Sequence, residues 1–288
     1  MFDANDGTHG TELWVTDGTA AGTYMLRDIN PSIGSSNSLD ITAVGNSKAL
    51  FSVTLSTSSY ELWVTDGTTA GTSLVPDNAP GPSSATVNHF VLLCFAPGTR
   101  IRTPAGETPV ETLRRRDFVV VTDGRAVPIT WIGRQTVSTR FGDPLRVLPI
   151  RIRAGALAEN VPCRDLLVTP DHAVLVDDVL IQAGALVNGT SIVREYNVPE
   201  RFTCYHIELD DHSLLLAENT PAETFVDNVD RLPFDNWAEH EALYPNGKPI
   251  VELPYPRAKS HRQVPRAIRE RLVQRAAALY GSLVQQVA

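Results

Sequence analysis

One cysteine, one threonine and three histidines are the side chains here that could act together on a carbonyl. Cys94 opens the run Cys94-Phe95-Ala96-Pro97-Gly98-Thr99, directly after the apolar Val91-Leu92-Leu93. Well downstream comes Val168-Thr169-Pro170-Asp171-His172, a hydroxyl and an imidazole three residues apart. Cys204-Tyr205-His206 and Asp211-His212 follow. A thiolate attacks acyl carbons, an imidazole carries protons, and a hydroxyl can hold an amide by hydrogen bonds. A cysteine with a histidine somewhere in the chain is non-specific, so spacing alone leaves the reading open. The three cysteines are an odd number, which excludes a fully paired disulfide scaffold and leaves one thiol over. Cys163 and Cys204 read as structural thiols. A zinc site from Cys163, His172, Cys204 and His206 lacks any Cys-x-x-Cys or His-x-x-x-His pair, so no metal is expected, nor any cofactor.

The elements around these residues read as strands. Arg100-Ile101-Arg102-Thr103 turns through Pro104-Ala105-Gly106 toward Pro109-Val110, a hairpin signal. Further strands fit 118–121, 128–132, 145–150, 165–168, 173–176, 179–181, 205–209 and 213–216, most of them bounded by Gly, Pro or Asp. Only 110–116 looks helical, for a turn or two. Many short strands at this spacing predict a compact all-β domain over 90–228.

The flanks differ in charge and pattern. The chain carries −8 overall, against nucleic acid as a partner, and no apolar run is long enough for a transmembrane helix. Residues 1–93 hold nine acidic and two basic residues, whereas 254–288 hold seven basic and one acidic. Glu12-Leu13-Trp14-Val15-Thr16-Asp17-Gly18-Thr19 recurs as Glu61-Leu62-Trp63-Val64-Thr65-Asp66-Gly67-Thr68, a period of 49. Each copy reads as a strand running into a tight turn. The period fits a propeller blade or another stacked β unit, and two copies cannot close a ring. Residues 1–75 are therefore expected to be a small β-repeat segment, the end of a longer array or a β module. Calcium at Asp17 and Asp66 is an option, but turn chemistry accounts for both aspartates. A Pro/Gly/Ser-rich linker is expected over 76–89. In the extension 229–288, Ile268, Leu272, Leu279, Leu283 and Val287 recur at helical spacing, with a gap at Arg275-Ala276, and predict a basic amphipathic helix over about 265–287.

Three blocks taken in order, Cys94-x-x-Pro97-Gly98-Thr99, Thr169-Pro170-Asp171-His172 and Tyr205-His206-Ile207-Glu208-Leu209 with His212, resemble the Hint superfamily of inteins and Hedgehog autoprocessing domains. The likeness is to its bacterial intein-like branch. It implies a flattened, pseudo-two-fold β horseshoe, preceded by the repeats and followed by the helix. It also implies an intramolecular reaction: the Cys94 thiolate attacks the Leu93 carbonyl, and the Leu93–Cys94 peptide bond becomes a thioester by N-to-S acyl shift. In this scheme Cys94 is the nucleophile, His172 gives the departing amine its proton near neutral pH, and Thr169 holds the scissile amide. His212 matches a later-block histidine. His206 stands where many inteins carry an aspartate.

Splicing also needs an asparagine at the domain's far edge, followed by a nucleophile. That edge falls near Pro221-Ala222-Glu223-Thr224, where Glu223 replaces it; Asn219 comes too early and Asn228 precedes Val229. The sequence therefore favours cleavage or transfer of the upstream segment over full splicing. The substrate would be the protein's own N-terminal segment, and the acceptor water or an external amine or thiol. The alternative is a catalytically degenerate Hint domain serving as a structural or binding module. The family habit and the repeats, like those of bacterial surface proteins, point to a secreted or surface location without a visible signal peptide; the cytoplasm is the other option.

Overall fold

Short strands joined by tight turns make up most of the regular structure among the described residues. The computed structural model describes residues 1–31, 34–44, 48–56, 59–75, 93–139, 144–225, 234–245 and 247–284. The expected linker 76–89, Asn228 and Val287 lie outside the described residues. The chain divides into two units, Met1–Phe90 and Val91–Ala288.

In the first unit, β1 (Phe2–Asn5), β2 (Thr11–Val15) and β3 (Tyr24–Met25) form one antiparallel sheet. A second sheet holds β4 (Leu39–Val44), β5 (Lys48–Ser56), β6 (Ser59–Thr65) and β7 (Ser73–Leu74). The repeat governs the register. Phe2 pairs with Trp14 and Phe51 with Trp63; Trp14 then pairs with Met25 and Trp63 with Leu74. Leu13, Leu26, Ile29, Phe51, Val53 and Trp63 share one small core, so the two copies bury each other's apolar faces. Asp17 accepts hydrogen bonds from the Thr19 N–H at 2.8 Å and its hydroxyl at 2.7 Å; Asp66 does the same with Thr68 at 2.9 and 2.7 Å. These threonine bonds hold both carboxyls below their usual range. A Cβ on Gly22 or Gly71 would run into those carboxylates, which explains why Ala-Gly-Thr follows each turn.

The second unit begins with the hairpin β8 (Arg100–Thr103) and β9 (Gly106–Pro109), then the pair β10 (Phe118–Val120) and β11 (Ala126–Pro128). β12 (Trp131–Ser138) follows, then the helical turn α1 (Pro144–Val147). Next come β13 (Ile150–Ile152), β14 (Leu166–Val168), β15 (Ala173–Val176), β16 (Val179–Gln182) and β17 (Ile192–Arg194). The last main strands are β18 (Arg201–Glu208), β19 (Leu214–Ala217) and β20 (Thr220–Glu223). Two predicted strands depart: 128–132 splits between the end of β11 and the start of β12, and 145–150 is largely the turn of helix α1. Pro144 favours a helix start, Pro149 has no N–H for a ladder, and Arg194 Nη1 donates to the carbonyls of Pro144, Leu145 and Leu148.

The extension joins this unit. After α2 (Trp237–Leu243), β21 (Arg257–Ala258) adds to the edge of a seven-stranded sheet ordered β21-β16-β15-β20-β19-β8-β9, and runs parallel to β16. The helix α3 (Arg266–Val284) then buries Ile268, Leu272 and Ala276. Ala276 fills the gap in the sequence stripe, while Leu279 is half exposed. Arg271 donates to the Leu157 carbonyl and pairs with Asp177, so part of the helix's basic charge meets this unit itself.

Candidate active site

The chain at Cys94 is threaded between two strands. Phe95 exchanges both main-chain hydrogen bonds with Tyr205 at 2.7 and 2.9 Å, and the Ala96 N–H donates to the Leu167 carbonyl at 3.0 Å. On that second side the Thr169 N–H donates to the Cys94 carbonyl at 2.9 Å, and the Cys94 N–H donates to Thr169 Oγ1 at 2.7 Å. Thr169 thus grips the amide of the Leu93–Cys94 bond, with its hydroxyl also 3.4 Å from the Cys94 carbonyl oxygen. Two positions separated in sequence meet at hydrogen-bond distance because β14 delivers one and β18 aligns the other.

His172 follows directly. Its ring lies 4.3 Å from that of Phe95 and 5.4 Å, edge-on, from His206. Both imidazoles are buried. Burial dominates the His172 ring and pushes it down to about 4, although the Glu223 charge and the Leu93 main-chain carbonyl both pull upward. The sequence expectation of a proton donor titrating near neutrality therefore meets a ring that is neutral at pH 7 in this state. Neither ring nitrogen makes a well-formed hydrogen bond among the described residues. The nearby Leu93 carbonyl is the one the thiol would attack.

The thiol itself is fully buried. Burial pushes Cys94 up, and the neighbouring Cys204 thiol and the Asp235 charge push in the same direction. Cys94 Sγ donates to Gln135 Oε1 at 3.9 Å, and Cys204 Sγ donates to the Gln135 carbonyl at 3.5 Å. Cys204, read from sequence as a structural thiol, is placed against Cys94 by the β12–β18 register, which pairs Gln135 with Cys204 and Gly133 with His206. Gln135 was missed at the sequence level. Its signal was there: Trp131, Gly133, Gln135 and Val137 alternate on one buried face, and glutamine is the polar misfit. Asp235 gave no signal, since it comes from the extension.

His212 is engaged elsewhere. The Leu253 N–H donates to His212 Nδ1 at 2.8 Å, which leaves the proton on Nε2, 3.0 Å from Glu223 Oε1. Glu223 also pairs with Arg257, and Arg257 with Glu252 at 2.8 Å. Burial would raise the Glu223 carboxyl, but His212 and Arg257 outweigh it and hold it below its usual range. Asn219 sits in the turn between β19 and β20 with φ +64°, its amide donating to the Asn160 carbonyl. Cys163 stands against Glu218. Among the described residues no three metal-ligating side chains converge.

Residues 93–229 match the family model of the Hint domain. The all-β Hint-type fold with a helix after it is the architecture expected from sequence. Among solved structures, a bacterial intein-like domain from Clostridium thermocellum aligns at 17% identity and TM-score 0.35, covering 46% of this chain and 99% of that one. The MchDnaB-1 intein aligns at 12% and 0.32, covering 46% and 99%. The gp41-1 intein aligns at 12% and 0.34, covering 46% and 98%. No curated protein matches the chain.

Proposed function

We propose that this domain cuts its own chain before Cys94 through a thioester. The reading is carried by one observation, the 2.7 Å hydrogen bond from the Cys94 N–H to Thr169 Oγ1 at the amide that would break. The thiol loses its proton and Sγ bonds to the Leu93 carbonyl carbon. The C–N bond then breaks and the Cys94 nitrogen gains a proton. Reactants one residue apart gain the high effective molarity of cyclisation. His172, neutral at rest, can donate its ring N–H toward the Leu93 oxygen as negative charge develops there. Water, or an external amine or thiol, then takes the acyl segment 1–93 from the thioester. Glu223 in place of a terminal asparagine, locked to His212 and Arg257, supports cleavage or transfer rather than splicing.

A second reading is favoured by the burial of the thiol: a catalytically silent Hint domain acting as a structural module. The two separate on a gel. The whole chain incubated with dithiothreitol at neutral pH should yield a fragment ending at Leu93, and Cys94→Ala should yield none. Equal persistence of wild type and Cys94→Ala over days would remove the processing reading. The mass of the released fragment distinguishes hydrolysis from transfer to the added thiol.

A further inference from the structure

Part of the apolar cluster that buries Cys94 lies beyond the stretch matched to the family. Phe234 and Ile250 are buried with Cys94, Cys204, Trp131, Val137 and Phe225, and Trp237 packs against them. Phe234 is at the centre. Its ring is 5.2 Å from Trp131, edge-on, and 6.3 Å from His206, nearly parallel at 8°. It rests on Gly133, where a Cβ would lie 2.5 Å from the Phe234 ring. Gly133 has no left-handed φ, so the space for this ring, and no backbone requirement, calls for glycine there. Gly133 is the partner of His206 in the β12–β18 ladder, next to the Gln135–Cys204 pair.

Polar contacts fix the segment along the other edge of β12. The Asp235 N–H donates to the Arg134 carbonyl at 2.7 Å, and the Arg134 N–H donates to Asn236 Oδ1 at 2.8 Å. Asn236 Nδ2 donates to the Ile132 carbonyl at 2.9 Å, and the Thr136 hydroxyl to Asp235 Oδ2 at 2.7 Å. β12 pairs with only one strand among the described residues, so these bonds satisfy main-chain groups that an open edge would leave to water. The same segment brings the Asp235 carboxylate near the thiol, a charge that opposes thiolate formation.

We propose that residues 234–236 are a latch that holds Cys94 unreactive, with Phe234 as its plug, and that release of this latch from the β12 edge frees the thiol. The part concerning cleavage rests on the processing reading; the part concerning the thiol does not. A pulse of iodoacetamide on the full-length chain, with alkylated peptides identified by mass, reads each cysteine separately. Phe234→Ala and Gly133→Ala unseat the plug, and Asn236→Ala removes two anchoring bonds with little loss of packing. Alkylation of Cys94 should rise roughly tenfold or more in these variants, as expected when a local opening becomes easier. Leu272→Ala, a core truncation on α3, should leave it at the wild-type level. Unchanged labelling in all three latch variants, or an equal rise in Leu272→Ala, would overturn the latch. A gel of the same samples carries the second half: faster cutting before Cys94 in latch variants supports the inhibitory role, and slower cutting despite freer labelling overturns it. Freer labelling with no cut in any variant leaves the latch standing and removes the processing reading.

Discussion

His172 and Cys94 are held in the neutral forms that a dry site favours. For His172 this has a measurable consequence with a definite sign. The unfolded ring titrates near 6.5 and the folded ring only at about 4, so the unfolded chain binds the extra proton first. Stability contributed by the neutral ring is intact above pH 6.5 and is lost as pH falls toward 4. The loss attributable to this one ring should reach about 3 kcal/mol at pH 4. Urea unfolding of wild type and His172→Gln at pH 7, 6, 5 and 4 measures it: the wild type should lose more stability than the variant across that window. Parallel pH slopes would mean that the ring is solvated. Of the five expected catalytic side chains, the fold gathers Cys94, Thr169, His172 and His206, and places His212 against Glu223 in a separate polar network with Arg257.

At the scale of elements, pattern reading worked where a side chain's partner is close in sequence. The paired Leu-Trp-Val strands and their Asp-Gly-Thr turns are local structures, so the repeat was legible before any packing was known. The stretch 145–150 was not, because Arg194, far along the chain, caps its carbonyls and makes a turn of helix from what reads as a strand. The C-terminal helix lies between these cases. Its existence followed from periodicity, but the stripe ran through Leu279 in sequence and runs through Ala276 in the fold. Adjacent positions on α3 should therefore behave very differently. Leu272→Ala, in the core, should cost about 2–5 kcal/mol, and Val273→Ala, 58% exposed, under about 0.5 kcal/mol. Denaturant midpoints of the two variants decide it, and similar losses in both would show that the helix buries another face.

For the molecule as a whole, the extension beyond residue 229 is structural tissue of the second unit. Buried Glu208 is met by His240 at 3.0 Å and by Lys248 at 3.3 Å, both from the extension, and Lys248 also donates to the Leu209 carbonyl at 2.8 Å. Removing one partner of a buried ion pair leaves the other charge desolvated, which typically costs about 3–5 kcal/mol. Lys248→Met should accordingly lower the melting temperature of this unit by roughly 10 °C, followed by circular dichroism. A melt superimposed on wild type would show that the extension does not brace the domain. β21 on the sheet edge, α3 on the core and the 234–236 segment on β12 all point the same way.

The sequence by itself determined the residues that could do chemistry, their order, the β character of the domain and the repeat that precedes it. Those features are written in residue type and short-range spacing, which turns and strand alternation read directly. Only the tertiary structure decided that Thr169 touches the Cys94 amide, that Cys204 and Gln135 flank the thiol, and that Phe234 is buried in the same cluster. Each of those contacts joins strands distant along the chain, and register across a sheet has no local signature. Protonation was decided there too: a thiol and an imidazole have ordinary affinities in water, and it is burial by the rest of the chain that drives the two in opposite directions.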